Sequence, residues 1–145
     1  MKFLTKSPEE TQMLGARLAE LLKQGSVVCL YGKLGAGKTM FVKGIAQALG
    51  IPDRDITSAS FTIIAEYEND IPLYHIDLYR LAQDVDIDET GIWDYIYSDG
   101  VTVIEWAERL GEIEDDFIRV KFAIIDERTR DITIEGIDEK DWDYL

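Results

Sequence analysis

Residues 27–50 read VVCLYGKLGAGKTMFVKGIAQALG, and this stretch decides the fold. Val27 to Tyr31 is an apolar, β-prone run that predicts a buried strand. It breaks into GKLGAGKT, Gly32 to Thr39, which satisfies the pattern G-x-x-x-x-G-K-[ST]. Helical periodicity resumes over Thr39–Leu49 and stops at Gly50 and Pro52. A glycine loop between a strand and a helix is the context in which this pattern marks a phosphate cradle. Gly32, Gly35 and Gly37 let backbone N–H groups converge on phosphate oxygens with no Cβ in the way. The helix start adds the positive end of its dipole. Lys38 is placed to reach the β- and γ-phosphates, and the Thr39 hydroxyl suits a magnesium ion. The candidate nucleotide-binding run is therefore Lys33, Leu34, Gly35, Ala36, Gly37, Lys38, Thr39 and Met40.

Upstream, SPEETQMLGARLAELLKQG predicts a helix with Ser7 as N-cap, Pro8 at the first position and Glu10 closing a capping box. Leu14, Leu18, Leu21 and Leu22 share one face, and Gly25 is the expected stop. Downstream, SFTIIAEYE and LYHIDLYRL read as two strands around the turn NDIP, and IWDYIYSDG as a short helix. VTVIEWAERL reads as a buried strand that becomes a helix at its glutamate, and FIRVKFAIID with RDITIEG as a hairpin-like pair. The chain has no repeat and no Pro/Gly-rich linker. Residues 1–145 are thus expected to form one α/β domain, a P-loop NTPase-like sandwich. Its central sheet is mainly parallel, with flanking helices and a C-terminal β pair.

Composition narrows the function. Fifteen Lys and Arg against twenty-nine Asp and Glu give a formal net charge of −14. Such a chain as a whole repels nucleic acid and anionic membranes, whose binding rests on neutralising phosphates. No apolar run approaches the roughly 18–20 residues of a membrane span, and the N-terminal segment turns acidic too early for a secretory signal. The single cysteine fits a reducing cytoplasm, and Cys29 reads as a buried structural thiol.

A magnesium site in such a loop takes a second carboxylate from the end of a buried strand. Asp77 in LYHID and Glu105 in VTVIE both qualify. His75, the only histidine, reads first as a packing residue. So do Tyr74, Tyr79, Trp93, Tyr95 and Trp106.

The ordered motifs T-x-x-L-G (Thr11 to Gly15), LYGKLGAGKT, TSASFTI, YHIDLYRL, GIWDYI and VIEWAERL span nearly the whole chain. In this set the sequence resembles the TsaE (YjeE) family of P-loop ATPases that assist synthesis of threonylcarbamoyladenosine on tRNA. The resemblance implies that Lys38 and Thr39 bind phosphate and magnesium, and that Glu105 completes the metal site through water. It implies that Asp77 supports hydrolysis and that Trp106 packs beside the site. Glu10, Thr11 and Arg130 would lie near the adenine and ribose, with Arg128 the alternative arginine. ATP, ADP and Mg2+ are the implied ligands, and the TsaD and TsaB proteins the implied partners. tRNA would be met only through that complex. One departure stands out: the family's switch segment usually reads S-P-T-[FY], whereas here it is Ser58, Ala59, Ser60, Phe61. Ala59 does not lock φ as proline does, while Ser60 keeps a hydroxyl for the γ-phosphate or magnesium. Two other functions share the loop: a small-molecule kinase and a non-hydrolysing nucleotide sensor. The arginines are scattered along the chain, unlike the grouped lid arginines of such kinases.

Overall fold

The computed structural model describes residues 1–52, 64–82, 84–113 and 116–144, with Arg80 described by its backbone alone. One seven-stranded sheet runs through it in the order β1-β7-β6-β2-β5-β4-β3. The strands are β1 (Lys2–Thr5), β2 (Val27–Tyr31), β3 (Ile64–Tyr67), β4 (Leu73–Asp77), β5 (Val101–Glu105), β6 (Ile118–Ile124) and β7 (Arg130–Glu135). Parallel pairing joins β6 to β2, β2 to β5 and β5 to β4. Antiparallel pairs close both sides, β1–β7–β6 on one and β4–β3 on the other. The expected parallel centre and C-terminal β pair are both present.

Residue alternation sorts the core into two layers. Val28, Leu30, Leu73, Val101, Val103, Val120 and Phe122 face α1 (Pro8–Ala19) and α2 (Lys38–Ala48). Val27, Cys29, Ile76, Ile104 and Phe117 face α3 (Ile92–Ile96) and the short 3-10 turns on the opposite side. Cys29 is fully buried, and burial pushes its thiol up to about 12, which leaves it an inert packing group.

Several local expectations shift. In α1 the Ser7 hydroxyl accepts the Glu10 N–H at 3.1 Å, but the Glu10 carboxylate returns to the Lys6 N–H at 3.3 Å instead of to Ser7. That helix ends at Ala19, well before Gly25, because residues 20–22 tighten into i→i+3 bonds. LYHIDLYRL is strand only to Asp77, whose side chain then caps a 3-10 turn over Leu78–Arg80. After Glu105 the chain does not pass straight into helix. Trp106 takes a left-handed backbone (φ 58°), and one 3-10 turn follows over Ala107–Leu110. Two elements have no counterpart in the sequence reading: β1 and the C-terminal α4 (Glu139–Asp143). Each is too short to carry a period, and each is held by long-range contact. Trp142 packs on Phe3 with ring centroids 5.0 Å apart, and the Arg17 guanidinium lies 4.7 Å over its ring.

α1 and α2 meet at two glycines. A Cβ built on Gly15 would lie 2.2 Å from the Phe41 carbonyl oxygen, and one on Gly44 would lie 1.9 Å from that of Gln12. No methyl group fits between these backbones. Gly44→Ala must therefore push the helices apart, at a cost of about 1–3 kcal/mol typical of overpacking. The expected result is a lower denaturant midpoint with an unchanged m-value.

Candidate functional site

The glycine loop leaves the C-terminal end of β2. Gly35 (φ +80°) and Gly37 (φ +101°) hold left-handed backbone that a side chain would strain. Gly37 is also the N-cap of α2, and no side chain among the described residues caps that terminus. The first-turn N–H groups of α2 are thus left for an external acceptor. The Gly32 N–H donates to Glu108 Oε2 at 3.0 Å, which pins the loop's entry to the turn after β5.

Lys38 is only 5% exposed. Its Nζ donates to the Gly32 carbonyl at 2.6 Å and lies 3.6 Å from the centroid of the Trp106 ring. The left-handed backbone of Trp106 is the only positive φ outside glycine among the described residues, and it is what turns the indole toward the loop. Tyr79 backs that ring at 4.8 Å. Burial lowers the Lys38 ammonium from its ordinary value, and the nearby carboxylates of Glu105, Glu108 and Asp77 work against that shift.

Parallel pairing brings the two candidate carboxylates side by side: Asp77 on β4 is the register partner of Glu105 on β5. Asp77 is half-buried, and its Oδ1 accepts the Tyr79 N–H at 3.0 Å. Burial raises its carboxyl above the ordinary range, the Tyr79 bond opposes this, and neighbouring Glu105 adds to it. Glu105 is buried, with Oε2 at 2.6 Å from His75 Nε2. His75 lies in the interior as a packing residue would, yet one ring nitrogen has a polar partner. Arg109, which the sequence reading did not single out, donates to the carbonyls of Leu78, Leu81 and Ala82. It thereby ties the exit of β4 to the exit of β5. An arginine in a short polar turn carries no pattern that names such partners.

Next to the loop lies a cleft of about 330 Å³. Its walls are Ser7, Pro8 and Thr11 from α1, Gly35, Gly37 and Met40 from the loop region, and Glu127, Arg128 and Arg130 from the β6–β7 turn. Both late arginines line it. Arg130 alone reaches the loop, donating to the Gly35 carbonyl at 3.0 Å, while its other bonds go to Asp126, Glu127 and Thr129 carbonyls. Its buried Nε has no partner among the described residues. Thr11 is held by Thr5, hydroxyl to hydroxyl at 2.8 Å, and its methyl faces Gly37. Glu10 is not in the cleft. It lines a separate hollow beside Phe3, Met13 and Arg17. Of the loop residues, Ala36 is buried, Thr39 is exposed, and Lys33 and Leu34 point outward. Ser60, with Ala59 and the rest of that segment, lies outside the described residues.

The donor set suits a nucleoside polyphosphate: uncapped helix N–H groups, a buried ammonium and an adjoining cleft that shares Gly35 and Gly37. Among the described residues no group of three His, Cys, Asp or Glu could hold a metal unaided. Thr39 and Glu105 would fit magnesium in the way that ion is usually held, by one or two protein oxygens together with phosphate and water.

The parallel sheet, with its glycine loop running from β2 into α2, defines a P-loop NTPase-like α/β protein. Within that class the chain belongs to the TsaE family, described as "Threonylcarbamoyl adenosine biosynthesis protein TsaE", whose profile matches residues 5–132. The TsaE protein of Treponema pallidum is 41% identical over 135 residues, covering 92% of this chain and 99% of that protein. The Bacillus subtilis TsaE protein is 37% identical over 139 residues, covering 94% and 86%. The crystal structure of Bacillus subtilis YdiB superposes with a TM-score of 0.76 at 35% identity, covering 97% of this chain and 87% of that one. Among the described residues, no helix is long and apolar enough to cross a membrane.

The raised Asp77 carboxyl has a consequence for stability. A carboxyl whose folded pKa lies above its unfolded value loses stability progressively as pH rises from the unfolded value to the folded one, and the cost is complete above the folded value, where the folded state holds an ion it disfavours. Asp77→Asn keeps the acceptor for Tyr79 and removes that ion. Its Tm should exceed the wild type's at pH 7, and the gain should disappear as pH falls below the ordinary aspartate range.

Proposed function

We propose that this chain binds ATP with magnesium in the Gly32–Thr39 loop, hydrolyses it slowly, and in the cytoplasm assists the TsaD–TsaB complex in forming threonylcarbamoyladenosine on tRNA. The observation that carries the reading is the buried Lys38 ammonium at the mouth of an uncapped helix, lodged on the Gly32 carbonyl and the Trp106 face. Among the described residues no carboxylate pairs with this buried cation, which makes it costly, and incoming phosphate oxygens would compensate it. Membership of a threonylcarbamoyladenosine biosynthesis family supports the pathway.

Each side chain then has a role. Backbone N–H groups from Gly35 to Thr39 hold the phosphates, Lys38 neutralises the β- and γ-oxygens, and the Thr39 hydroxyl and Glu105 serve the metal. The Thr39 hydroxyl and the Glu105 carboxylate would hold magnesium, whose charge would offset the charge that develops on the phosphates. Asp77, whose carboxyl is drawn toward the protonated form, is suited to orient a water and accept its proton at Oδ. Arg128 and Arg130 face the cleft that would receive the base and ribose.

Slow basal turnover fits where four of the described guanidinium groups are engaged. Arg109, Arg119 and Arg130 bond backbone carbonyls, and Arg17 stacks on Trp142. An arginine finger is worth about 10³–10⁵ in rate in such enzymes, so a partner that completes the site would accelerate it. The charge of −14 argues that tRNA is met through the complex.

Lys38→Ala should abolish nucleotide binding while the circular dichroism spectrum is kept. Unchanged ATP affinity would remove the loop from the reading. ATPase assays with and without TsaD–TsaB should show slow turnover alone and faster turnover together. Phosphoryl transfer to a small-molecule acceptor would instead mark a kinase.

A separate pair of variants divides the two carboxylates. Glu105→Ala should weaken magnesium-dependent nucleotide binding and turnover together. Asp77→Ala should lower kcat with binding nearly kept, and the reverse pattern would exchange their roles.

A further inference from the structure

Strand geometry places His75 two residues before Asp77, so both side chains leave β4 on the face toward α2. Asp77 is paired with Glu105, and His75 with Val103, which makes His75 and Glu105 diagonal neighbours across β4 and β5. Diagonal positions lie about 7–8 Å apart, a gap that an imidazole and a glutamate can close. They close it to 2.6 Å, with His75 at 1% and Glu105 at 5% exposure.

The other nitrogen, Nδ1, is buried with no partner among the described residues. That asymmetry selects the tautomer. With the proton on Nε2, the ring donates to the carboxylate and leaves only a bare lone pair unmatched. With the proton on Nδ1, an N–H would be stranded in the interior and two acceptors would face each other at 2.6 Å. A purely packing residue would be better served by a leucine or phenylalanine, with no orphaned atom. The polar ring is retained at a cost, and the Nε2–H is what it contributes.

We propose that His75 is a positioning residue whose Nε2–H holds the Glu105 carboxylate in the orientation that magnesium–nucleotide binding requires. This rests on the reading above that Glu105 serves the metal. Without the donor, Glu105 would be free to turn toward the Lys38 ammonium, one of the charges it already acts upon. The site would then close on itself as an ion pair that the phosphates must break. Glu105 would also lose the partner that fixes which of its oxygens faces the loop.

The chain has one histidine, so imidazole ¹⁵N spectra of the full protein report on His75 alone. The expected spectrum is that of the Nε2–H tautomer, with a shift when ADP is added with Mg2+ that is absent when ADP is added with a chelator. An Nδ1–H tautomer would overturn the proposal whether or not any variant folds. In parallel, ADP affinity is measured with and without Mg2+ for wild type, His75→Leu and His75→Gln. His75→Leu should lose about 10–100-fold in the magnesium-dependent affinity, the usual cost of removing such a partner, with magnesium-free affinity kept. His75→Gln, which retains an N–H near the Nε2 position, should recover most of it. An equal loss with and without Mg2+, or no loss in His75→Leu, would refute the positioning role alone. A wild type whose ADP affinity ignores Mg2+ would instead refute the metal role of Glu105.

Discussion

Everything at the functional edge depends on the parallel pairing of β2 with β5 and of β5 with β4. Parallel strands end together, so their C-termini deliver the glycine loop, Glu105 and Asp77 to one edge of the sheet. The register is specific to the residue: Leu30 opposes Glu105, and Asp77 opposes Glu105. A slip of one residue would turn both carboxylates to the opposite face, into the layer of Ile76 and Ile104. The burial of β2 and β5 on both faces, with apolar side chains at most positions, is what makes such a slip costly.

The second constraint is the contact of α1 with α2 at Gly15 and Gly44. It brings the backbones together with no side chain between them. Because α2 is the loop's own helix, this contact also places the N-terminal turn of α1 against the loop, where Thr11 faces Gly37. The T-x-x-L-G motif is therefore one geometric device. Its threonine meets the loop, its leucine enters the core, and its glycine permits the approach.

Among the described residues, the buried lysine, histidine and carboxylate side chains gather in one place. Lys38, His75 and Glu105 are buried and lie at the same strand ends, with Asp77 half-buried beside them. Burial disfavours the ionised forms of Lys38 and Asp77, and each neighbour of opposite sign offsets part of that cost. Such an arrangement is tuned by what enters it.

The amino-acid sequence by itself determined the strand–loop–helix unit, the parallel α/β class and the C-terminal hairpin. Those features rest on local signals: glycines at fixed spacing, apolar runs, and alternation over six or seven residues. It marked Asp77 and Glu105 as strand-end acids, because a run of β-prone residues ending in a carboxylate is itself local. Only the tertiary structure decided that His75 reaches Glu105, that Arg109 gathers three carbonyls, and that Glu10 turns away from the cleft where Thr11 remains. It likewise decided β1 and α4, four and five residues long, which stand on Phe3, Trp142 and Arg17 meeting from opposite ends of the chain. Those outcomes depend on which side chains arrive within hydrogen-bond reach after the sheet has set its register. A one-dimensional pattern holds the identity of each group and its face, but not the distance to a partner on another strand.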